Sequence, residues 1–406
     1  MASAPIRNLG IQGIDHIDFV VRDLDRSRAF YADKMDFALT AQSSAKHTQQ
    51  TGEKALVFDA ARVRVQCSTP VTKESDAARF LRAHPDGVRA ITLRVANLEH
   101  ARKTLEQRGA NFIGEPTGPA GYRQVAIASP LGDVEFRFLE KEGPMVEGEA
   151  PGDKTQGAFD PLLSPVVGSR GANRHRFTHM DHVTSNTREM RSFVNWTRDV
   201  LGFEHFWDIR FHTRDSNPTM QGGSGLNSVV MWDPTCNVKL ATNEPLRPNY
   251  YASQIAKYVE DNKGAGVQHI AFSTRAIMDV IPQMAQAGLK FLDTPDAYYK
   301  MLPSRLAERA VTNLKEEIEE LRRRKILVDG RDDRYLLQIF MQEAALLYNE
   351  AAAGPFFYEV IQRHGDQGFG EGNFRALFES IERQQTGGDQ AHPTGQRTVQ
   401  NPYLVD

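Results

Sequence analysis

The sequence predicts an α+β fold of two similar domains, each built from two βαβββ units. Three observations lead there: an internal duplication, a strand–helix–strands pattern that recurs four times, and a Gly-, Pro- and charge-rich stretch between the halves. At 406 residues the chain exceeds one ordinary hydrophobic core, so two domains are also the prior from length.

The duplication shows when GIDHIDFVV, from Gly13, is laid on HMDHVTSNT, from His179. Asp15 and His16 then fall on Asp181 and His182, while Phe30 meets Trp196 and Phe37 meets Phe203. A second alignment sets GVRAITLRV on GVQHIAFST, and Gly109 and Phe112 then match Gly288 and Phe291.

The first unit opens with the strand IDHIDFVV, continues with a helix over about Leu24 to Met35, and adds strands that include KALVFDA and RVRVQC. The second runs RAITLRV, the helix LEHARKTLEQRG, then RQVAIAS and VEFRFLE. Units starting near Met180 and Val267 follow the same plan with longer insertions. In the last of them, LAERAVTNLKEEIEELRRRKILV spaces Leu314, Ile318 and Leu321 as one apolar face, which predicts an amphipathic helix there. Its basic end, Arg322 to Lys325, follows four acidic residues and reads as a solvated helix terminus, not a nucleic-acid patch.

These patterns divide the chain into a first domain over 12–145, a linker over 146–178, a second domain over 179–385 and a flexible tail over 386–406. Hydrophobic residues are 40% of the chain and charged residues 25%, the balance of a globular protein. A net charge of −3 argues against a nucleic-acid or anionic-membrane partner. The absence of a signal-peptide pattern and of any long apolar run makes a cytoplasmic location the expectation. Two cysteines, Cys67 and Cys236, exclude a disulfide framework and a cysteine-built metal site, so any metal must be held by His and carboxylate.

Such a group can be assembled. His182 and His269 interrupt apolar strands at corresponding places in the two units of the second half, and Glu359 interrupts FFYEVI on the last strand. A lone carboxylate in that apolar setting needs compensation. Two imidazoles and one carboxylate on adjoining walls are the set that holds non-haem Fe(II), and a cation would keep Glu359 ionised. Taken singly, each residue reads as an ordinary core histidine or a salt-bridged glutamate; their correspondence across repeats favours the metal site. The first half offers His16, but Ala90 stands where His269 would be; Glu135 is assigned the place of Glu359. That half therefore reads as a structural domain without metal. His179 and His364 read as exposed bystanders.

The strings MDHV, NEP, SQI, GAGVQHIA, YLLQIF, FFYEVIQRHG and GFGEGNFRALFESIE carry a resemblance over about Ile14 to Glu382. Their order and spacing resemble the 4-hydroxyphenylpyruvate dioxygenase family of the vicinal oxygen chelate superfamily. The resemblance implies open β-barrels, a C-terminal helix over the pocket mouth, and one Fe(II) per chain on His182, His269 and Glu359. It implies conversion of 4-hydroxyphenylpyruvate and dioxygen to homogentisate and carbon dioxide, in tyrosine catabolism, by a homodimer or homotetramer. Carried over residue by residue, Ser228, Asn243, Gln254, Gln268, Gln338, Phe340 and Phe374 are the implied substrate contacts. No catalytic side chain beyond the metal ligands is implied.

Amides and a hydroxyl suit that work because they hydrogen-bond a phenol or a carboxylate without adding charge. Phe357 shares the face of Glu359 by strand alternation and would add to the aromatic wall. A 4-hydroxymandelate synthase fits the same strings, and a non-catalytic small-molecule binding protein is the alternative of another class. The glycines Gly370 and Gly372 precede the helix expected to cover the pocket. Deleting the chain from Gly370 onward is expected to abolish oxygen consumption while leaving the circular dichroism spectrum and the thermal transition close to those of the full chain.

Overall fold

The computed structural model describes residues 8–142, 160–169, 171–212, 225–247, 250–370 and 372–373. In the first half the strands are β1 (Ile11–Val20), β2 (Ala38–Ser43), β3 (Glu53–Ala60), β4 (Val63–Pro70), β5 (Gly87–Val95), β6 (Phe112–Thr117), β7 (Tyr122–Ile127) and β8 (Glu135–Lys141). A short β9 (Leu163–Pro165) follows. The second half contains β10 (Phe177–Asn186), β11 (Glu204–His212), β12 (Gly225–Asp233), β13 (Val238–Pro245), β14 (Gly266–Thr274), β15 (Leu327–Arg331), β16 (Arg334–Phe340) and β17 (Phe357–His364).

They form a sheet of order β6-β7-β8-β5-β1-β4-β3-β2-β9 and a second of order β11-β12-β13-β10-β14-β17-β16-β15, each curled into a half-barrel. In both, the first strands of paired units lie antiparallel at the centre, β1 against β5 and β10 against β14. Each first strand also runs parallel to the last strand of its own unit: β1 with β4, β5 with β8, β10 with β13, β14 with β17. The helices that make those parallel returns possible follow the first strands; Leu98–Gln107, capped by Asn97, buries Leu98, Ala101 and Leu105 at helical spacing.

Part of the segment predicted as a linker is structured, since β9 extends the first sheet by pairing with β2. The two halves meet across aromatic rings. Phe19 lies 4.9 Å from Phe356, Phe30 stacks on Tyr358 at 5.7 Å, and the hydroxyls of Tyr31 and Tyr358 bond to each other. Tyr358 precedes Glu359, so strand alternation turns one toward the first half and the other into the second barrel. The first half thus buttresses the strand that carries Glu359.

Three expectations are corrected. LAERAVTNLKEEIEELRRRKILV does not form one helix; a helix over Asp296–Glu308 ends and a short one over Ile318–Arg324 begins afterwards. The turn after β15 captures the intervening backbone. The Asp333 carboxylate accepts from the Thr312 amide at 2.7 Å, and the amides of Asp332 and Asp333 donate to the carbonyls of Arg309 and Ala310. The basic residues that follow are held on Glu319 and Glu320 one turn back. His179 is half-buried, its ring bonding Thr178 at 2.9 Å. His364 is half-buried too, because its ring stacks on Tyr335 at 4.4 Å.

The interior of the first barrel is ionic. Asp18, fully buried, receives Arg89 at 2.8 Å and Arg137 at 2.9 Å, and Arg89 also reaches Glu53 at 2.8 Å. Burial opposes ionisation of Asp18, but the two guanidiniums outweigh it and hold its carboxyl below the usual range. Removing one partner of a buried pair leaves a charge uncompensated, so Arg89→Met is expected to destabilise the protein by about 3–5 kcal/mol, read as a lowered midpoint in denaturant unfolding.

Candidate metal centre

Register places the three residues. In the second sheet His182 pairs with Ala271 and Thr184 with His269, while across β14 and β17 His269 pairs with Phe357 and Ala271 with Glu359. Paired residues share a face, so both histidines, Thr184, Phe357 and Glu359 line one inner wall. His182 Nε2 lies 3.3 Å and His269 Nε2 3.6 Å from Glu359 Oε2, with the two imidazole centroids 5.7 Å apart. All three residues are buried, and one ligand atom from each lies within 4.8 Å of the others. Bonds of about 2.1 Å to one divalent ion would bring neighbouring donors to about 3 Å, a spacing that the two contacts to Glu359 Oε2 approach.

The matching positions in the first sheet explain how one fold supports two interiors. His16 pairs with Thr92, and Ala90 pairs with Asp18 on one side and Glu135 on the other. Arg137, which pairs with Thr92, therefore takes the place of Glu359, correcting the assignment of Glu135 to it. His16 is satisfied at both nitrogens, by Asp15 at 2.8 Å and Thr92 at 3.2 Å. In the second half Ala271 replaces Thr92, so His182 Nε2 faces Glu359 instead of a hydroxyl.

Each imidazole of the centre is held from behind. His182 Nδ1 bonds Asp181 Oδ1 at 2.9 Å, and Asp181 is gripped by Arg363. His269 Nδ1 bonds Gln268 Oε1 at 3.1 Å. Burial and the neighbouring His182 hold the His269 ring neutral, with its pKa well below the ordinary value. For His182 burial opposes protonation, yet Glu359 and Asp181 outweigh it and raise the pKa. Lys239, inner-face neighbour of His182 on β13, is fully buried; burial and then Arg363 push its amine down to about 8.

Ser228 and Asn243 pair across β12 and β13 on the same inner wall, and Asn243 Nδ2 donates to Asn186 Oδ1 at 3.0 Å. Phe340 pairs with Glu359, its ring 6.0 Å from that of His269, and Phe357 stacks on His269 at 5.0 Å. Gln338 sits on β16 opposite Ile361, and its Oε1 faces Gly370; a Cβ there would lie 2.6 Å from that oxygen, and φ is +70°. Gln254 is buried at the start of the helix Gln254–Asp261. Gln268 is turned to His269, an orienting contact that the resemblance did not suggest. Phe374 and the helix expected over the pocket mouth fall on residues outside the described ones.

Sequence reasoning missed Thr184, Asn186 and Phe369. The first two sit two and four residues past His182, where alternation could have found them. Phe369, whose ring centroid is 4.7 Å from that of His182, follows a turn and offered no periodic signal. Among the described residues, Glu359 Oε1, Thr184 Oγ1, Asn186 Nδ2, Ser228 Oγ, Asn243 Oδ1 and Gln338 Oε1 are buried without a hydrogen-bond partner. At about 1–3 kcal/mol each, orphans on that scale are costly unless an ion, a ligand or water meets them.

A duplicated βαβββ pair with a buried His–His–Glu group on one inner wall defines the vicinal oxygen chelate class. A family model described as Glyoxalase/Bleomycin resistance protein/Dioxygenase superfamily matches residues 13–146 and 179–301. The chain belongs to this superfamily and, within it, to the 4-hydroxyphenylpyruvate dioxygenase family of enzymes. The 4-hydroxyphenylpyruvate dioxygenase of Dictyostelium discoideum is 33% identical over 386 residues, 92% of this chain and 98% of that one. Its namesake from Danio rerio is 33% identical over 379 residues, 91% of this chain and 90% of that one. A solved variant of 4-hydroxymandelate synthase from Streptomyces coelicolor superposes with a TM-score of 0.73 at 21% identity, covering 93% of this chain and 99% of that one. At that identity the likeness speaks to the fold alone.

Metal ligands must be deprotonated, and the raised pKa of His182 means its proton has to leave. Divalent-metal affinity is therefore expected to begin falling at a pH above the ordinary histidine range and to go on falling as the pH drops through it, and Glu359→Ala is expected to remove binding at every pH. Isothermal titration at two pH values checks both.

Proposed function

We propose that the chain is an Fe(II)-dependent dioxygenase that converts 4-hydroxyphenylpyruvate and dioxygen to homogentisate and carbon dioxide, a step of tyrosine catabolism. The observation that carries this reading is the convergence of His182, His269 and Glu359, buried, with Glu359 Oε1 orphaned beside them. The donor set fits: two imidazole nitrogens, once His182 has lost its proton, and one carboxylate would suit a ferrous ion. A ferrous ion held there supplies Lewis acidity toward a 2-oxo acid and electrons toward dioxygen.

The rest of the reading concerns the chain's own side chains. Asp181 and Gln268 fix the two imidazoles so that each points Nε2 at the same place. Phe340, Phe357 and Phe369 wall that place with apolar rings and exclude water. Ser228, Asn243 and Gln338 offer orphaned polar atoms from the same inner wall to the phenol and carboxylate of an aromatic 2-oxo acid. Their neutrality orients the substrate without competing for the metal's charge. Gln254 and Phe374 are proposed as further substrate contacts on the strength of the family resemblance alone. The names of the two relatives support the substrate; they stand on proteins about one-third identical over nearly whole chains.

Purified protein loaded anaerobically with Fe(II), then given oxygen and 4-hydroxyphenylpyruvate, is expected to release carbon dioxide and homogentisate in equal amounts. Formation of 4-hydroxymandelate would replace this reading with the synthase, and ligand binding without oxygen uptake would replace it with a binding protein.

A further inference from the structure

His182 is held by a chain of contacts that the first half of the molecule repeats only in part. Asp181 accepts from His182 Nδ1, and Arg363 donates to both oxygens of Asp181, Nε to Oδ2 and Nη2 to Oδ1, each at 2.7 Å. A carboxylate only accepts, so Nδ1 is the donor and the ring is locked with Nε2 toward Glu359. The fork also fixes the carboxylate plane, which a single contact would leave free to rotate.

In the first half Asp15 holds His16 in the same way, but its cation is Lys141, a point charge 2.6 Å from Asp15 Oδ2. The extra donor of the arginine is used. Arg363 Nη1 donates to the carbonyls of Asp366 at 3.0 Å and Gly368 at 2.7 Å, in the turn that follows β17. The Asp366 carboxylate accepts the Gly368 amide at 2.6 Å and tightens that turn. The next residue is Phe369, buried, whose ring lies over His182 and stacks on Trp207. Gly370 then meets Gln338. One guanidinium therefore reaches His182 by two routes, through Asp181 from behind and through the turn that seats Phe369 in front.

We propose that Arg363 is a positioning residue of the metal centre, tying the orientation of His182 to the seating of segment 366–369 against that histidine. The proposal rests on His182, His269 and Glu359 being metal ligands. It goes further in naming a side chain outside the inner wall that sets their geometry. The duplication supplies a control: a brace that merely stabilises a barrel should act alike in both halves, whereas one that positions a ligand should matter to metal only in the second.

The test is titration of the full chain with Co(II) alone, following its visible absorption, beside the thermal midpoint of each variant. Wild type is expected to bind one Co(II), and R363M to bind about 10- to 100-fold more weakly with an altered spectrum, the range for partners behind a ligating histidine. R363K keeps a charge opposite Asp181, as Lys141 does opposite Asp15, and is expected to recover most of the affinity while substrate KM stays raised, because the turn carbonyls lose their donor. K141M in the first half is expected to lower the thermal midpoint and leave Co(II) affinity unchanged. Should R363M fail to fold, D181N takes its place with the same expected loss. Wild-type affinity and spectrum in R363M, or in D181N where that replaces it, would overturn the proposal, as would an equal loss of affinity in K141M. Wild type that binds no Co(II), or binding that survives in E359A, would instead overturn the ligand assignment.

Discussion

A carboxylate buried between two imidazoles is the constraint from which the second half of the molecule is organised. Glu359 sits on β17, inside apolar sequence, with His182 Nε2 and His269 Nε2 both turned to it. Holding three ionisable groups so close, out of water, is costly unless each is oriented and a compensating charge is shared among them. The surrounding structure supplies the orientation: a carboxylate behind one ring, an amide behind the other, and aromatic faces on the remaining sides.

The first half shows the same scaffold with the charge problem solved internally. Where the second barrel places Glu359, the first places Arg137; where the second has His269, the first has Ala90. Asp18, Arg89, Arg137 and Glu53 neutralise one another, and Thr92 caps His16. The first half's aromatic residues pack against Phe356 and Tyr358, close in sequence to the carboxylate.

Much of this was legible beforehand. The duplication, the four βαβββ units and the grouping of His182, His269 and Glu359 follow from period-two patterns and matching positions, which are local properties of strands. The inward side of Phe357 followed for the same reason. The helix expected over Leu314, Ile318 and Leu321 forms only from Ile318, because the turn carrying Asp333 holds the backbone before it. Glu135 was misplaced by one strand step of two residues, an error that only the pairing of β5 with β8 could reveal.

The amino-acid sequence alone therefore determined the repeated architecture and which polar residues interrupt apolar strands, since both are written in spacing along the chain. Tertiary structure decided what those residues meet. That Asp181 would be gripped by Arg363, that Gln268 would turn to His269, and that Phe369 would lie over His182 depend on register, on bulges in β10 and on a turn beyond β17. Contacts between residues far apart in sequence are set by how sheets curl and strands pair, and spacing along one strand carries no record of its neighbour.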